Sequence, residues 1–228
     1  ASPTDWPMYR HDAQRSGVAA GFELPEVLAP HWNVNLGTRT TQPIIANGHI
    51  FVACPDEQTV RALAADNGRL LWQFPTEGEV DSSPTYWRGH LFFGSSHGWV
   101  YCLDATNGAM IWRFRAAPKE QLAMAHGRPV SLWPVPGAVL VHDNHVYAVA
   151  GRSTYLDGGL VIHRLDPSGA RNSSVRRRTM PGSNPLKGGS ACIASSDASA
   201  STHPRPSISS TVLPTLFAQE GLMKVNCP

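Results

Sequence analysis

No apolar run of the roughly 18 residues a membrane-spanning helix needs occurs in this chain of 228 residues. Its four cysteines, Cys54, Cys102, Cys192 and Cys227, are far apart in sequence. Neighbouring thiols therefore cannot form a zinc knuckle, a Cys-x-x-Cys redox pair or a haem attachment site. Cys54 and Cys102 read as small buried apolar residues, and the other two as incidental. A Cys54–Cys102 disulfide stays open, because sequence alone does not give the geometry a bridge requires. Nucleophile elbow, phosphate-binding loop and dinucleotide fingerprint are all missing. So is any sustained helical periodicity, since Gly or Pro interrupts every candidate after about two turns. The chain starts at Ala1, without an initiator Met. That fits a processed or excised chain whose export signal is no longer visible.

A large excess of one sign of charge is lacking as well. The formal net charge is +2, but residues 1–169 carry 12 basic and 15 acidic side chains, while 170–228 carry 7 and 2. The body is near neutral and lacks the basic stripe that phosphate binding needs, which argues against a nucleic-acid partner.

What is abundant is glycine (20), proline (19) and tryptophan (7), a balance suited to short strands, tight turns and bulky packing. Trp32, Trp72 and Trp112 are spaced 40 residues apart, each within an apolar run, 31–36, 70–74 and 110–114. Pro43 and Pro84 repeat at 41, as do Gly48 and Gly89. The runs 49–53 and 59–63 recur as 90–94 and 99–103. Asn67-Gly68 and Asn107-Gly108 then join the last two runs of each copy. Asn-Gly between apolar runs predicts a two-residue type I′ hairpin with positive φ at both positions. Each period thus holds four short strands, the size of a propeller blade. A third unit follows over 130–168, with strands at 139–141, 145–150 and 160–165, a long loop 151–159, and a lead-in 115–138 containing an extra turn at Glu120–Ala125.

The segment Leu103-Asp104-Ala105-Thr106-Asn107-Gly108-Ala109-Met110-Ile111-Trp112 resembles the pyrrolo-quinoline-quinone (PQQ)-like repeat. Residues 62–72 resemble a second copy, with Ala64 where Asp is usual. The opening Asp5-Trp6-Pro7-Met8-Tyr9-Arg10-His11-Asp12 and the stretch 150–159 look like bacterial exported propellers of that group, which includes the outer-membrane assembly lipoprotein and quinoprotein dehydrogenases. The resemblance covers about 5–168 and implies an all-β fold, an incomplete β-propeller of about three four-stranded antiparallel blades. The expected plan is a cap segment over 5–30, a strand over 31–36, blades over 37–74 and 75–114, a partial blade over 130–168, and a Ser-rich, basic, disordered tail over 170–228. In such repeats Trp32, Trp72 and Trp112 are expected to dock neighbouring blades, since an indole buries a large area and its N–H can find a carbonyl. A full ring of this family has about seven or eight blades, so an open arc prone to self-association through its sheet edges is expected.

The resemblance leaves function divided, because one fold hosts scaffolds and enzymes. The first expectation is a non-catalytic scaffold, periplasmic or otherwise exported, that binds envelope proteins or a small ligand and needs no cofactor. The second is a fragment of a PQQ-dependent dehydrogenase, whose quinone and calcium would be held in blades this chain lacks. Calcium asks for six to eight oxygens, and no carboxylate cluster at supporting spacing is visible. Glu77, Glu79 and Asp81 read as a solvated turn, and His49, His90 and His145 share one repeat position, which suits a structural role in every blade. The best candidates for recognition are Arg152, Tyr155 and Asp157 in the irregular loop of the third unit, which offer charge, a stacking surface and an acceptor. Arg10, His11 and Asp12 read as a cap. The loss of the repeat after Gly169, with no Trp near 173, reads as a shift of reading frame, and a weak strand is expected over 211–217.

Overall fold

A computed structural model describes residues 5–19, 30–125 and 127–178, with the backbone alone for 170–178. His126, Cys192, Cys227, the strand expected over 211–217 and the tail beyond 178 lie outside the described residues.

Three four-stranded antiparallel sheets follow one another along the chain. The first is β1 (Ile44–Ala46), β2 (His49–Cys54), β3 (Thr59–Ala64) and β4 (Leu70–Pro75). The second is β5 (Thr85–Trp87), β6 (His90–Gly94), β7 (Trp99–Asp104) and β8 (Met110–Arg115). A separate hairpin, β9 (Leu122–Ala125) with β10 (Arg128–Ser131), precedes the third sheet. That sheet is β11 (Leu140–His142), β12 (His145–Ala150), β13 (Leu160–Asp166) and β14 (Gly169–Arg178). Registers are equivalent from sheet to sheet. Phe51 faces Ala62, Phe92 faces Cys102, and Tyr147 faces Arg164. The architecture is an incomplete β-propeller.

Apolar side chains on both faces of the inner strands bury the sheets against one another. Phe51, Val60 and Ala62 of the first blade meet Leu91, Phe93 and Tyr101 of the second in one core. Phe92, Val100 and Cys102, on the opposite face of the second blade, meet Val141, Val146 and Ala148 of the third in another. Each Trp bonds across to the following blade. Trp32 Nε1 donates to Ala65 O (3.0 Å), Trp72 to Ala105 O (3.1 Å) and Trp112 to Pro167 O (3.0 Å). The first two rings lie over Gly68 and Gly108, where a Cβ would come within 2.8 and 2.6 Å of the indole.

Four expectations need correction. Residues 31–36 form no strand, because no neighbouring sheet among the described residues offers them a ladder. The turns at Asn67-Gly68 and Asn107-Gly108 are wider than two residues, with positive φ at Gly68 (70°) and Gly108 (73°) only. Their amides donate to Ala64 O and Asp104 O, four residues back, and Asn67 and Asn107 instead accept from the amides of Arg69 and Ala109. The two-residue turns with both φ positive are Asn47-Gly48, Arg88-Gly89 and Asp143-Asn144, which open each blade. Third, Glu120–Ala125 is no isolated turn, since Leu122–Ala125 pairs with Arg128–Ser131. Fourth, the strand Gly169–Arg178 continues the third sheet, so that blade has four strands and its boundary lies beyond 169.

The repeated histidines play one local part. His49, His90 and His145 each bond through Nδ1 to the carbonyl two residues earlier, in the opening turn. The first two stack on Phe51 and Phe92. The N-terminal arm lies along the innermost strands. Trp6 exchanges backbone hydrogen bonds with Ile45, Pro7 O accepts from Tyr86 N, and the Asp5 carboxylate accepts from Asn47 N. These contacts cover strand edges that would otherwise be open.

His163 is buried, with Nε2–H donating to Ala116 O at 2.9 Å and the ring edge-on to Phe114. Burial holds its pKa below the usual 6.5. The unfolded chain therefore takes up this proton at higher pH than the folded one, so its contribution to stability is complete above pH 6.5 and is lost as pH falls toward the folded value. Urea unfolding midpoints should drop between pH 7 and 5, and His163→Gln should flatten that slope.

Candidate functional site

The loops at one end of the strands enclose an open cavity of about 600 Å³. Asp56 comes from the turn Pro55–Glu57 between β2 and β3, and Ser96 from the equivalent turn between β6 and β7. Glu79 and Asp81 stand on the crossing from β4 to β5, and Arg128 on the β9–β10 hairpin. Pro134, Val135 and Pro136 supply an apolar wall, and Arg39 and Arg152 complete the lining. The N-terminal arm is at the other end, because Asp5 meets Asn47 and β2 separates that turn from Asp56.

Most charges here are paired. Arg128 bonds Glu79 and lies 3.7 Å from Asp56, while Arg39 reaches Asp56 at 3.4 Å. Exposed pairs of this kind are each worth about 0–1 kcal/mol, and they serve more to orient side chains than to stabilise the fold. Desolvation, then Glu79, raises the Asp81 carboxyl above its ordinary value. The hairpin carrying Arg128 is fixed at its base by Ser131 N donating to Ser96 O and His97 Nε2 bonding Pro129 O. Glu77, read from sequence as solvated, pairs with Arg113, as Glu79 does with Arg128.

Of the loop candidates, Arg152 and Asp157 come together: Nε and Nη2 both lie 2.8 Å from one Asp157 oxygen. Trp133 Nε1 donates to Asp157 O (2.7 Å), and Gly151 N to Pro134 O, so the loop is tied to the lead-in. Tyr155 does not join them; it projects into solvent, 72% exposed, beside exposed Leu156. On the hairpin, Met124 is equally exposed, with Leu122 on the same face of the strand. Sequence reading named Glu79, Asp81 and Arg152 but missed the hairpin, Arg39, Asp56 and Arg128, and the convergence of these charges on one cavity. The alternation at 122–125 was the available signal, but it covers only four residues.

A PQQ–calcium group finds no matching donor set among the described residues. Asp56 and Glu79 are engaged by arginines, and no three His, Cys, Asp or Glu side chains are gathered there as a metal group. Cys54 and Cys102 are free thiols in separate sheets. Burial pushes Cys102 up to about 12 and raises Cys54 as well. No helix among the described residues is long and apolar enough to cross a membrane, which leaves membrane β-barrels unaddressed.

Repeated antiparallel blades joined by indole-to-carbonyl bonds define the PQQ-like propeller class. A family model described as outer membrane protein assembly factor BamB (PQQ_2) matches residues 56–171, and the chain belongs to that family. It is 29% identical over 161 residues to the dehydrogenase subunit of a quinone alcohol dehydrogenase from Gluconobacter oxydans (strain 621H), covering 61% of this chain and 21% of the relative. It is 23% identical over 150 residues to the BamB of Kangiella koreensis, covering 61% and 37%. A quinohemoprotein alcohol dehydrogenase from Pseudomonas putida HK5 superposes with a TM-score of 0.60 at 18% identity, over 75% of this chain and 26% of that one, a likeness of fold. The chain thus spans between a fifth and two fifths of the length of these curated relatives.

Proposed function

We propose that this chain is a non-catalytic propeller scaffold that binds protein partners in the bacterial envelope through its loop face. The observation that carries this reading is the pair of inserted elements, the 122–131 hairpin and the 151–159 loop. The hairpin is tied to the second blade and the loop to the lead-in by backbone hydrogen bonds, both border the cavity, and both raise large apolar side chains into solvent. Aromatic, Met and Arg side chains on a rigid base suit an interface centre. The double variant Met124→Ala/Tyr155→Ala should fold as the parent does and lose at least about tenfold in affinity for any cross-linked envelope partner. Unchanged capture by the double variant counts against this face. The dehydrogenase relative supports a second reading, in which the quinone site lies in blades this chain lacks. Dye reduction on adding PQQ and calcium to a chain extended by such blades would favour it.

A further inference from the structure

Asn-Gly pairs occur at 47–48, 67–68 and 107–108. Asparagine followed by glycine is prone to lose its side-chain amide, because no Cβ keeps the glycine nitrogen away from the neighbouring Cγ. The fold treats the three pairs differently. Gly68 N–H donates to Ala64 O at 2.9 Å, and Gly108 N–H to Asp104 O at 2.8 Å. The Asn67 and Asn107 side-chain oxygens accept from Arg69 N at 2.9 Å and Ala109 N at 2.8 Å. An indole also lies over each of these glycines. At both turns the attacking nitrogen and the carbon it would attack are held in place.

Asn47-Gly48 is the reverse. Both residues are exposed, and a Cβ built on Gly48 meets nothing within 4 Å. Among the described residues, neither Gly48 N–H nor the Asn47 side-chain amide has a hydrogen-bond partner. His49 Nδ1–H donates to Asn47 O at 2.8 Å. That bond draws charge from the peptide that carries Gly48 N–H and makes the N–H more acidic. The N-terminal arm leans on this turn. Buried Asp5 accepts from Asn47 N at 3.2 Å, and Trp6 exchanges backbone bonds with Ile45 in β1.

We propose that Asn47 is a site of spontaneous covalent modification, which converts it to aspartate or isoaspartate and frees the arm from β1. Gly48 N attacks Asn47 Cγ. The new C–N bond forms, the Cγ–Nδ2 bond breaks, and ammonia leaves with the proton that Gly48 N gives up through solvent. Water then opens the cyclic imide at either carbonyl, and no other reactant is needed. Either product sets a carboxylate beside that of Asp5, whose burial leaves little solvent to screen the repulsion. Isoaspartate also lengthens the backbone by a methylene, so the turn no longer fits the Ala46–His49 pair. Losing the Asp5 and Trp6 bonds opens the edge of β1.

The full chain is aged in mildly alkaline buffer and mapped by mass spectrometry that separates aspartate from isoaspartate. Asn47 should convert at least about fivefold faster than Asn67 and Asn107, the rate difference expected from the bonds that hold the latter two. In concentrated urea the three should convert at similar rates. Hydrogen exchange at Trp6 and Ile45 should quicken in the aged chain and in Asn47→Asp. It should stay at the starting rate in aged Asn47→Gly, which accepts the positive φ and has no amide to lose. Equal conversion at the three sites of the folded chain, or none at Asn47, overturns the site. Unchanged exchange at Trp6 and Ile45 in the converted chain, or equal quickening in aged Asn47→Gly, overturns the release of the arm.

Discussion

Trp72→Ala should lower the stability of the folded chain by about 3 kcal/mol, the lower end of the range for truncating a large aromatic because this ring is half-buried. Three contacts are lost together: the bond to Ala105 O, the seat over Gly108, and the tilted contact with Phe51 at 6.0 Å. The carbonyl of Ala105, itself buried, would be left without this donor. Trp72→Phe keeps much of the apolar area and loses the hydrogen bond, so it should cost about 1 kcal/mol for that bond plus a smaller packing loss. Urea unfolding followed by far-ultraviolet circular dichroism separates the two. A loss below about 0.5 kcal/mol for the alanine variant would mean that this indole contributes little to joining the blades.

Gly108→Ala should be comparably damaging, and a matched control identifies the cause. Gly108 has φ of 73°, so any side chain pays about 1–2 kcal/mol for the left-handed backbone. The added Cβ would also stand 2.6 Å from the Trp72 ring and must push it aside. Overpacking of this kind costs about 1–3 kcal/mol more. Gly89 has a similar φ of 83° but nothing within 4 Å of a built Cβ. Gly89→Ala should therefore show the backbone cost alone. Equal losses for the two variants would remove the steric part of the account and leave Gly108 as a turn residue only.

The blades were legible because their determinants are local or repeat at a fixed interval. Trp spacing, paired prolines and the strand runs give the number and order of strands without reference to tertiary contacts. Turn geometry was read less well. Asn-Gly was assigned a tight hairpin at 67–68 and 107–108, but the tight turns are the openers, and two of them use Arg88-Gly89 and Asp143-Asn144. The residue pair alone could not decide, because a loop whose glycine also seats an indole selects Gly for two reasons. The cavity was hidden for a different cause. Arg128 meets Glu79 across 49 residues and Asp56 across 72, and nothing in their own segments marks them as partners. Arg152 and Asp157 lie five residues apart in one loop, and the loop's irregular length made them visible candidates. Residues 31–36 were read as a strand from apolar content, but a strand also needs a partner.

Hydrogen exchange followed by mass spectrometry is the most direct test of a repeat of docked four-stranded blades. The slowest amides should fall in three separated groups, in β2 and β3, in β6 and β7, and in β12 and β13, with fast exchange at the turns between them and along 31–36 in the single chain. One continuous protected block across 43–114, or exchange as fast in the inner strands as in the turns, would contradict it.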